Sequence, residues 1–321
     1  MKHTIKQLIS TSSQRINQLD SEIILAHVLR KTREFLFANP EFEITFWQKI
    51  KFDNLVKQRQ KNIPVAYLIG HKEFFGLDFF VNKNVLVPRP DTEIIVEQVL
   101  KEIQNSKVSA KGGSAFGGKI QNLLLIDVGT GSGCIPISIL DSLKKRNDEM
   151  SGANFVTSVP DKFRPAQFVT PIQTIAIDIS KKALCVAKKN VKKHNVEIEF
   201  LHGNLLKPII KNLNLNQFKS MLITANLPYL TEKQFQDEPS IQHEPKLALV
   251  ADNEGLALYE ELLQQIKQLL SSIDCSLSTM FEIDPTQTDK IKILIKKYLP
   301  EANIEIKKDL AGLDRLVIIK F

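Results

Sequence analysis

The chain has 321 residues, of which 43% are hydrophobic and 25% are charged, and this balance excludes a disordered or fibrous protein. At roughly 150 residues per domain, the length predicts about two domains. The net charge of +7 indicates either an anionic partner or a solvated basic surface.

The three cysteines are far apart and none has Cys-x-x-Cys spacing, which argues against a disulfide framework or a zinc site. We therefore expect no metal. No apolar run approaches the roughly 18 residues of a membrane span, and the first residues lack a signal-peptide core. A cytoplasmic protein without a membrane role is predicted. The sequence has no heptad repeat, so a monomer is expected.

Residues 1–72 are predicted to form a small N-terminal helical domain. Apolar residues recur at helical spacing around Leu8 and again around Leu25, and the first glycine is Gly70. The domain shows no chemistry of its own. Its role is either stability or recognition of a partner.

Residues 73–88 are predicted to form a β-hairpin linker. Aromatic and β-branched residues at 74–81 and 85–87 flank the polar segment 82–84, which is typical of a turn. The segment Pro88-Arg89-Pro90-Asp91-Thr92-Glu93 then ends the strand and opens a helix over 94–103.

The remaining domain, residues 89–321, alternates between strands and helices, as expected for an α/β fold with a parallel sheet. The segments 105–121 and 146–172 are interpreted as surface insertions. A closing antiparallel pair is predicted at 304–306 and 316–319. The other predicted strands lie at 122–128, 174–178, 198–201 and 219–226, and the predicted helices lie at 133–145, 180–194, 255–271 and 285–298.

A glycine-rich loop, Asp127-Val128-Gly129-Thr130-Gly131-Ser132-Gly133, follows the first strand of this domain and opens a helix. Glycines at such a place let backbone amides approach a ligand closely. The loop lacks the last glycine of a dinucleotide fingerprint, because Cys134 stands there, and it lacks the lysine of a P-loop.

Two further motifs follow the next strands. Asp178 ends the second strand, where a carboxylate can accept both hydroxyls of a ribose or can cap the following helix. Asn226-Leu227-Pro228-Tyr229 ends the fourth strand. The Asn226 side-chain oxygen and the Leu227 carbonyl can together accept both N–H bonds of a planar NH2 group, and Tyr229 offers a flat face.

These motifs resemble those of class I S-adenosylmethionine-dependent methyltransferases, and more narrowly the HemK/PrmC family of protein-(glutamine-N5) methyltransferases. The resemblance covers nearly the whole chain. Besides the three motifs, it rests on the segments 21–29, 64–70, 88–93, 244–249 and 309–315. It implies a Rossmann-like methyltransferase sheet with a small N-terminal helical domain, which would recognise the substrate, joined by a β-hairpin.

The resemblance also implies roles for residues. The cofactor S-adenosylmethionine would be bound by Gly129, Thr130, Gly131, Ser132, Gly133, Asp178, Asn204, Leu205 and Asn226. The catalytic motif would be Asn226, Leu227, Pro228 and Tyr229. The substrate would be the glutamine of the Gly-Gly-Gln motif of a peptide chain release factor, with nucleic acid not expected as substrate.

The sequence departs from the family pattern at Leu227, where the family carries a second proline, and at Asn204, where many relatives carry an acid. Asn-Leu-Pro-Tyr also resembles the motif of ribosomal RNA adenine dimethyltransferases. Two alternatives therefore stay open: an RNA or DNA adenine N6-methyltransferase, and a non-catalytic binding module.

Overall fold

A computed structural model describes residues 3–108, 122–152, 172–212 and 214–321. Its N-terminal part is helical, as predicted. Helix α2 is the centre of this part and contacts all four of its other helices. The elements are β1 (His3–Thr4), α1 (Ile5–Ser12), α2 (Gln18–Leu29), α3 (Arg33–Ala38), β2 (Glu43–Ile44), α4 (Phe46–Arg59) and α5 (Val65–Ile69). The pair β1–β2 was not predicted, because two-residue strands carry no periodic signal.

A β-hairpin follows, formed by β3 (His71–Phe74) and β4 (Leu77–Phe80). Its turn is Phe75-Gly76, where both residues have positive φ (51° and 71°), as a tight two-residue hairpin turn requires. The hairpin predicted around 82–84 is therefore wrong: a turn does lie at 83–84, but residues 85–87 form no strand. There the Asn82 side chain instead accepts a hydrogen bond from the Asn84 amide (2.9 Å) and makes a local polar turn.

The large domain is a seven-stranded sheet with the order β10-β11-β9-β8-β5-β6-β7. Strands β5 to β9 are parallel, whereas β11 is antiparallel to both of its neighbours. The elements are α6 (Glu93–Val108), β5 (Leu123–Val128), α7 (Cys134–Gly152), β6 (Ile172–Asp178), α8 (Lys181–His194), β7 (Glu199–His202), α9 (Lys207–Asn212), β8 (Ser220–Ala225), α10 (Glu232–Asp237), α11 (Asp252–Gly255), α12 (Ala257–Leu270), β9 (Ser276–Glu282), α13 (Thr288–Tyr298), β10 (Asn303–Lys308) and β11 (Asp314–Lys320).

The predicted α/β class, parallel strands, intervening helices and closing antiparallel pair are confirmed. Strand β9 was missed, because its sequence Ser-Leu-Ser-Thr-Met-Phe-Glu mixes buried polar and apolar residues. Helices α6 and α7 extend into the two predicted insertions, to Val108 and Gly152. The remainder of those insertions, 109–121 and 153–171, lies outside the described residues.

The strand order brings the carboxyl ends of three strands together. Strand β5 lies between β6 and β8, so the chain continues from β5 to β6 and β7 on one side and returns to β8 on the other side. In open parallel sheets, ligands bind at the carboxyl ends of the strands where the order reverses in this way. Strands β5 and β8 are buried along their whole length, which makes this edge a rigid platform.

Among the residues that the structure describes, no helix has the length and apolar character needed to cross a membrane.

Candidate active site

A cavity of about 160 Å³ opens at the carboxyl edge of β5, β6 and β8. Its wall contains eight of the predicted site residues, from all three motifs and from the segment after β7: Gly129, Gly131, Asp178, Asn204, Leu205, Asn226, Leu227 and Pro228. Four predicted site residues are absent from that wall, namely Thr130, Ser132, Gly133 and Tyr229. Leu247 also lines the cavity and is 61% exposed, so an apolar side chain stands at its rim.

The glycine loop is held close to both neighbouring strands. The amides of Gly129 and Thr130 donate to the Ile177 carbonyl, at 2.9 and 3.0 Å. Gly129 has φ +73°, and a Cβ there would lie 3.1 Å from Leu227 Cδ2. A side chain at this position would therefore press the loop against the Asn226 motif.

Gly133 serves packing between helices rather than the cavity. Its φ is +81°, and a Cβ would lie 3.3 Å from the Ala187 side chain of α8. Nearby, the buried Asn190 side chain donates to the Ser132 carbonyl (2.8 Å) and also bonds the backbone of Phe80 in the hairpin. The loop, α8 and the hairpin linker are thus tied together at one side chain.

Asp178 lies at the end of β6 and is 8% exposed. Its Oδ2 accepts from the Gly131 amide (2.9 Å) and its Oδ1 accepts from the Ser180 amide (2.8 Å). Burial raises the pKa of this carboxyl, and the two amide donors oppose that rise. The side chain therefore couples the glycine loop to the start of α8 while lining the cavity.

The Asn226 side chain is oriented by two acceptors. Its Nδ2 donates to Thr92 Oγ1 and to Glu282 Oε2, each at 2.9 Å. The two N–H bonds of the amide are therefore used within the protein, and Oδ1 is the atom left to accept a ligand hydrogen bond. Nearby, the Leu227 carbonyl oxygen lies 3.4 Å from the Tyr259 hydroxyl. A carbonyl oxygen has two lone pairs, so the Leu227 carbonyl keeps one for a ligand.

Glu282 was missed in the sequence analysis, because it ends the missed strand β9. It is 1% exposed, and its Oε1 accepts from the Tyr229 hydroxyl at 3.2 Å. Burial and the Glu282 carboxylate raise the pKa of Tyr229, so its hydroxyl stays protonated and donates. The sequence signal that could have identified Glu282 is an acidic residue at the end of a strand between the predicted helices 255–271 and 285–298.

The segment 88–93 braces the site at two points. Thr92 contacts Asn226, as described. Arg89 forms an ion pair with the buried Glu244 (2.5 Å), whose other oxygen accepts from the Val87 amide at 2.9 Å. Glu244 precedes the loop that carries Leu247, so this pair fixes the rim of the cavity.

Asn204 and Leu205 lie on the side of the cavity formed after β7. Asn204 donates to Glu261 Oε1 (2.8 Å) of helix α12, an acid that is not part of the cavity wall. Leu205 has φ +49°, is buried in the core and lines the cavity.

Comparison with known proteins identifies the family of the chain. A family model of the PrmC N-terminal domain matches residues 3–70. A release factor glutamine methyltransferase of Bacillus anthracis is 31% identical over 298 residues, which cover 92% of this chain and 90% of the relative. The chain belongs to the release factor glutamine methyltransferase family. It is therefore a methyltransferase, as the sequence predicted.

Other relatives agree. A release factor glutamine methyltransferase of Flavobacterium psychrophilum is 32% identical over 302 residues, covering 93% of this chain and 90% of that one. Among solved structures, the hMettl16 catalytic domain in complex with a 3′UTR hairpin has a TM-score of 0.52 and 13% identity, with 92% of this chain and 91% of that one covered. At that identity the likeness shows the fold alone.

Proposed function

We propose that this family member transfers a methyl group from S-adenosylmethionine to the side-chain amide nitrogen of the glutamine in the Gly-Gly-Gln motif of a peptide chain release factor. The observation that carries the proposal is the orientation of Asn226. With Nδ2 bound to Thr92 and Glu282, Asn226 Oδ1 would accept one N–H of a glutamine NH2 group, and the Leu227 carbonyl would accept the other. Relatives named release factor glutamine methyltransferase supply the substrate class.

The cofactor is proposed to occupy the cavity beside the glycine loop. The fit rests on Gly129 and Gly131, which expose backbone at the wall, and on the buried Asp178 carboxylate between them and α8. Asp178 would accept from the ribose hydroxyls. The methionine end would lie against Gly129 and Gly131, the loop residues on the cavity wall, and the adenine would lie beside Asn204 and Leu205.

In the proposed reaction, S-adenosylmethionine supplies an electrophilic methyl group on a sulfonium. An amide nitrogen is a weak nucleophile because its lone pair is delocalised. Asn226 Oδ1 and the Leu227 carbonyl would each accept one substrate N–H, which fixes the plane of the NH2 group and polarises it. Most of the acceleration would come from this positioning, which can supply about 7–11 kcal/mol, and from stabilising the charge that develops on nitrogen.

The N–C bond would form as the S–C bond breaks, and the nitrogen would then release a proton to water. We assign no general base, because both oxygens of Glu282, the buried acid beside Asn226, already accept hydrogen bonds from protein groups. Leu227 keeps its backbone carbonyl, so its difference from the family proline leaves this chemistry intact.

Replacement of Asp178 by asparagine should weaken binding of S-adenosylmethionine by about 10–100-fold. An amide offers one acceptor where the carboxylate offers two, and a hydrogen bond to a charged group contributes about 1.5–3 kcal/mol. Isothermal titration calorimetry measures the affinity. The matched control is Asp289→Asn in the first turn of α13, outside the cavity wall. Equal affinities for both variants would contradict the ribose role.

The proposed substrate can be tested directly. The protein is incubated with a purified release factor and S-adenosylmethionine, and tandem mass spectrometry then locates any added methyl group. We expect one methyl on the glutamine of Gly-Gly-Gln. A methyl on another side chain, or none in the presence of bound cofactor, would contradict the proposal. The monomeric state stays a prediction, to be measured by light scattering on the same sample.

A further inference from the structure

Thr92 and Glu282 hold the same side-chain amide from two sides. We propose that they are positioning residues that lock Asn226 in one orientation, so that the site accepts only a substrate group that donates N–H bonds. This role rests on the proposed function, since it concerns how that site selects an amide NH2 group over a carboxylate.

The two ends of an asparagine side chain have nearly the same shape, so hydrogen-bond partners decide which end points where. In this protein Nδ2 lies 2.9 Å from Thr92 Oγ1 and 2.9 Å from Glu282 Oε2. Turning the Asn226 amide by half a turn would place Oδ1 against Glu282 Oε2, with two acceptors and no proton between them. In its ionised form Glu282 therefore excludes the reversed orientation.

Glu282 is itself held firmly. It is the last residue of β9, and its Oε1 accepts from the Tyr229 hydroxyl (3.2 Å). The Tyr259 hydroxyl donates to its backbone carbonyl. Because the carboxylate is buried and both of its oxygens are in use, it acts through Asn226 rather than on the substrate.

The orientation of Asn226 leaves two acceptors for the substrate group, Asn226 Oδ1 and the Leu227 carbonyl. A glutamine side chain brings two N–H donors to them. An ionised glutamate side chain brings none and would leave both acceptors unpaired beside a negative charge. Sites built to bind an N–H or O–H group reject the analogue that lacks it by about 10⁴-fold or more.

Four groups face the Glu282 carboxyl from separate elements: Asp91 from the turn before α6, Tyr229 after β8, Tyr259 from α12 and Arg315 from β11. Burial raises its pKa, and Thr92, Arg315 and Tyr229 oppose that rise. Protonation removes an acceptor, so the lock holds above this raised pKa and fails as the pH falls through it. kcat should therefore decrease on the acid side.

The test compares matched pairs at each position. Glu282→Leu and Thr92→Val remove the acceptors, whereas Glu282→Gln and Thr92→Ser keep one. We expect Glu282→Leu to lower kcat for release factor methylation by about 100-fold, as for a misplaced reacting group, with the cofactor affinity unchanged. Glu282→Gln should have a kcat within about tenfold of wild type. Its kcat should also show no decrease on the acid side, because the glutamine side chain does not titrate.

A second readout needs no substrate. Hydrogen exchange of the Asn226 side-chain amide, assigned by its absence in Asn226→Ala, is measured by NMR. We expect exchange at least about tenfold faster in Glu282→Leu than in wild type, and an intermediate rate in Thr92→Val. Thr92→Ser should match wild type.

The outcomes separate this role from the proposed function. An inactive wild-type protein with slow Asn226 exchange would refute the proposed substrate and leave the lock standing. Unchanged exchange in both Glu282→Leu and Thr92→Val would overturn the lock, whether or not the release factor is methylated. Equal losses of kcat in Glu282→Gln and Glu282→Leu would also overturn it, because charge rather than orientation would then matter.

Discussion

Asn226→Ala should lower kcat for methyl transfer by about 10²–10³-fold while leaving the cofactor affinity within a few fold of wild type. The variant removes the acceptor that orients the substrate NH2 group, and losing one oriented group of this kind costs about that factor in other enzymes. It also leaves Glu282 Oε2 without the donor it now has at 2.9 Å. Single-turnover rates with a release factor as substrate measure the effect.

The matched control is Asn303→Ala, an exposed asparagine on the edge strand β10. It should keep wild-type rates, because its side chain lies outside the cavity wall. Because Asn226 is partly buried, its replacement could affect folding. The circular dichroism spectrum and melting temperature of Asn226→Ala are therefore compared with those of wild type first. A folded Asn226→Ala protein with near-wild-type turnover would refute the proposed mechanism.

Gly255→Ala should reduce the free energy of unfolding by about 4 kcal/mol or more, which places it among the rare severe substitutions. Gly255 has φ +83°, and a Cβ there would lie 1.9 Å from the Tyr229 carbonyl oxygen and 2.6 Å from Gln287 Nε2. These two atoms are hydrogen-bonded to each other at 3.0 Å. The added carbon would force apart the bond that fixes the end of the Asn226 motif.

Gly312→Ala separates the clash from the backbone strain. Gly312 has φ +80°, but a Cβ there would meet no atom within 4 Å. Its cost should be only the roughly 1–2 kcal/mol of a left-handed residue with a side chain. Urea unfolding of both variants measures the two costs. Equal stabilities would show that the Tyr229 segment moves freely around position 255.

The three ligand-facing motifs could be located from the sequence because each follows a strand with a clear apolar signal. Gly129 directly follows β5, Asp178 ends β6 and Asn226 directly follows β8, and parallel strands bring such ends to one edge. The structure places all three on one cavity wall. Their spacing along the chain and the βα alternation were sufficient for that.

The partners of Asn226 were harder to find. Glu282 ends a strand whose buried serines and threonines hide its apolar character, and Thr92 lies in a proline-rich turn with no periodicity. Their distances in sequence from Asn226 are 56 and 134 residues, so only the folded sheet brings them together. The hairpin turn was misplaced for a local reason: the polar segment 82–84 is a stronger turn signal than Phe75-Gly76.

The most direct measurement is methyl transfer from labelled S-adenosylmethionine to two substrates side by side. One is a purified release factor, with a variant whose Gly-Gly-Gln glutamine is replaced by alanine, and the other is ribosomal RNA. We expect label on the intact release factor, none on the alanine variant and none on the RNA. Label on the RNA alone would contradict the proposed function and favour an adenine N6-methyltransferase. Leu227, which makes the motif resemble that of ribosomal RNA adenine dimethyltransferases, would then be the informative residue.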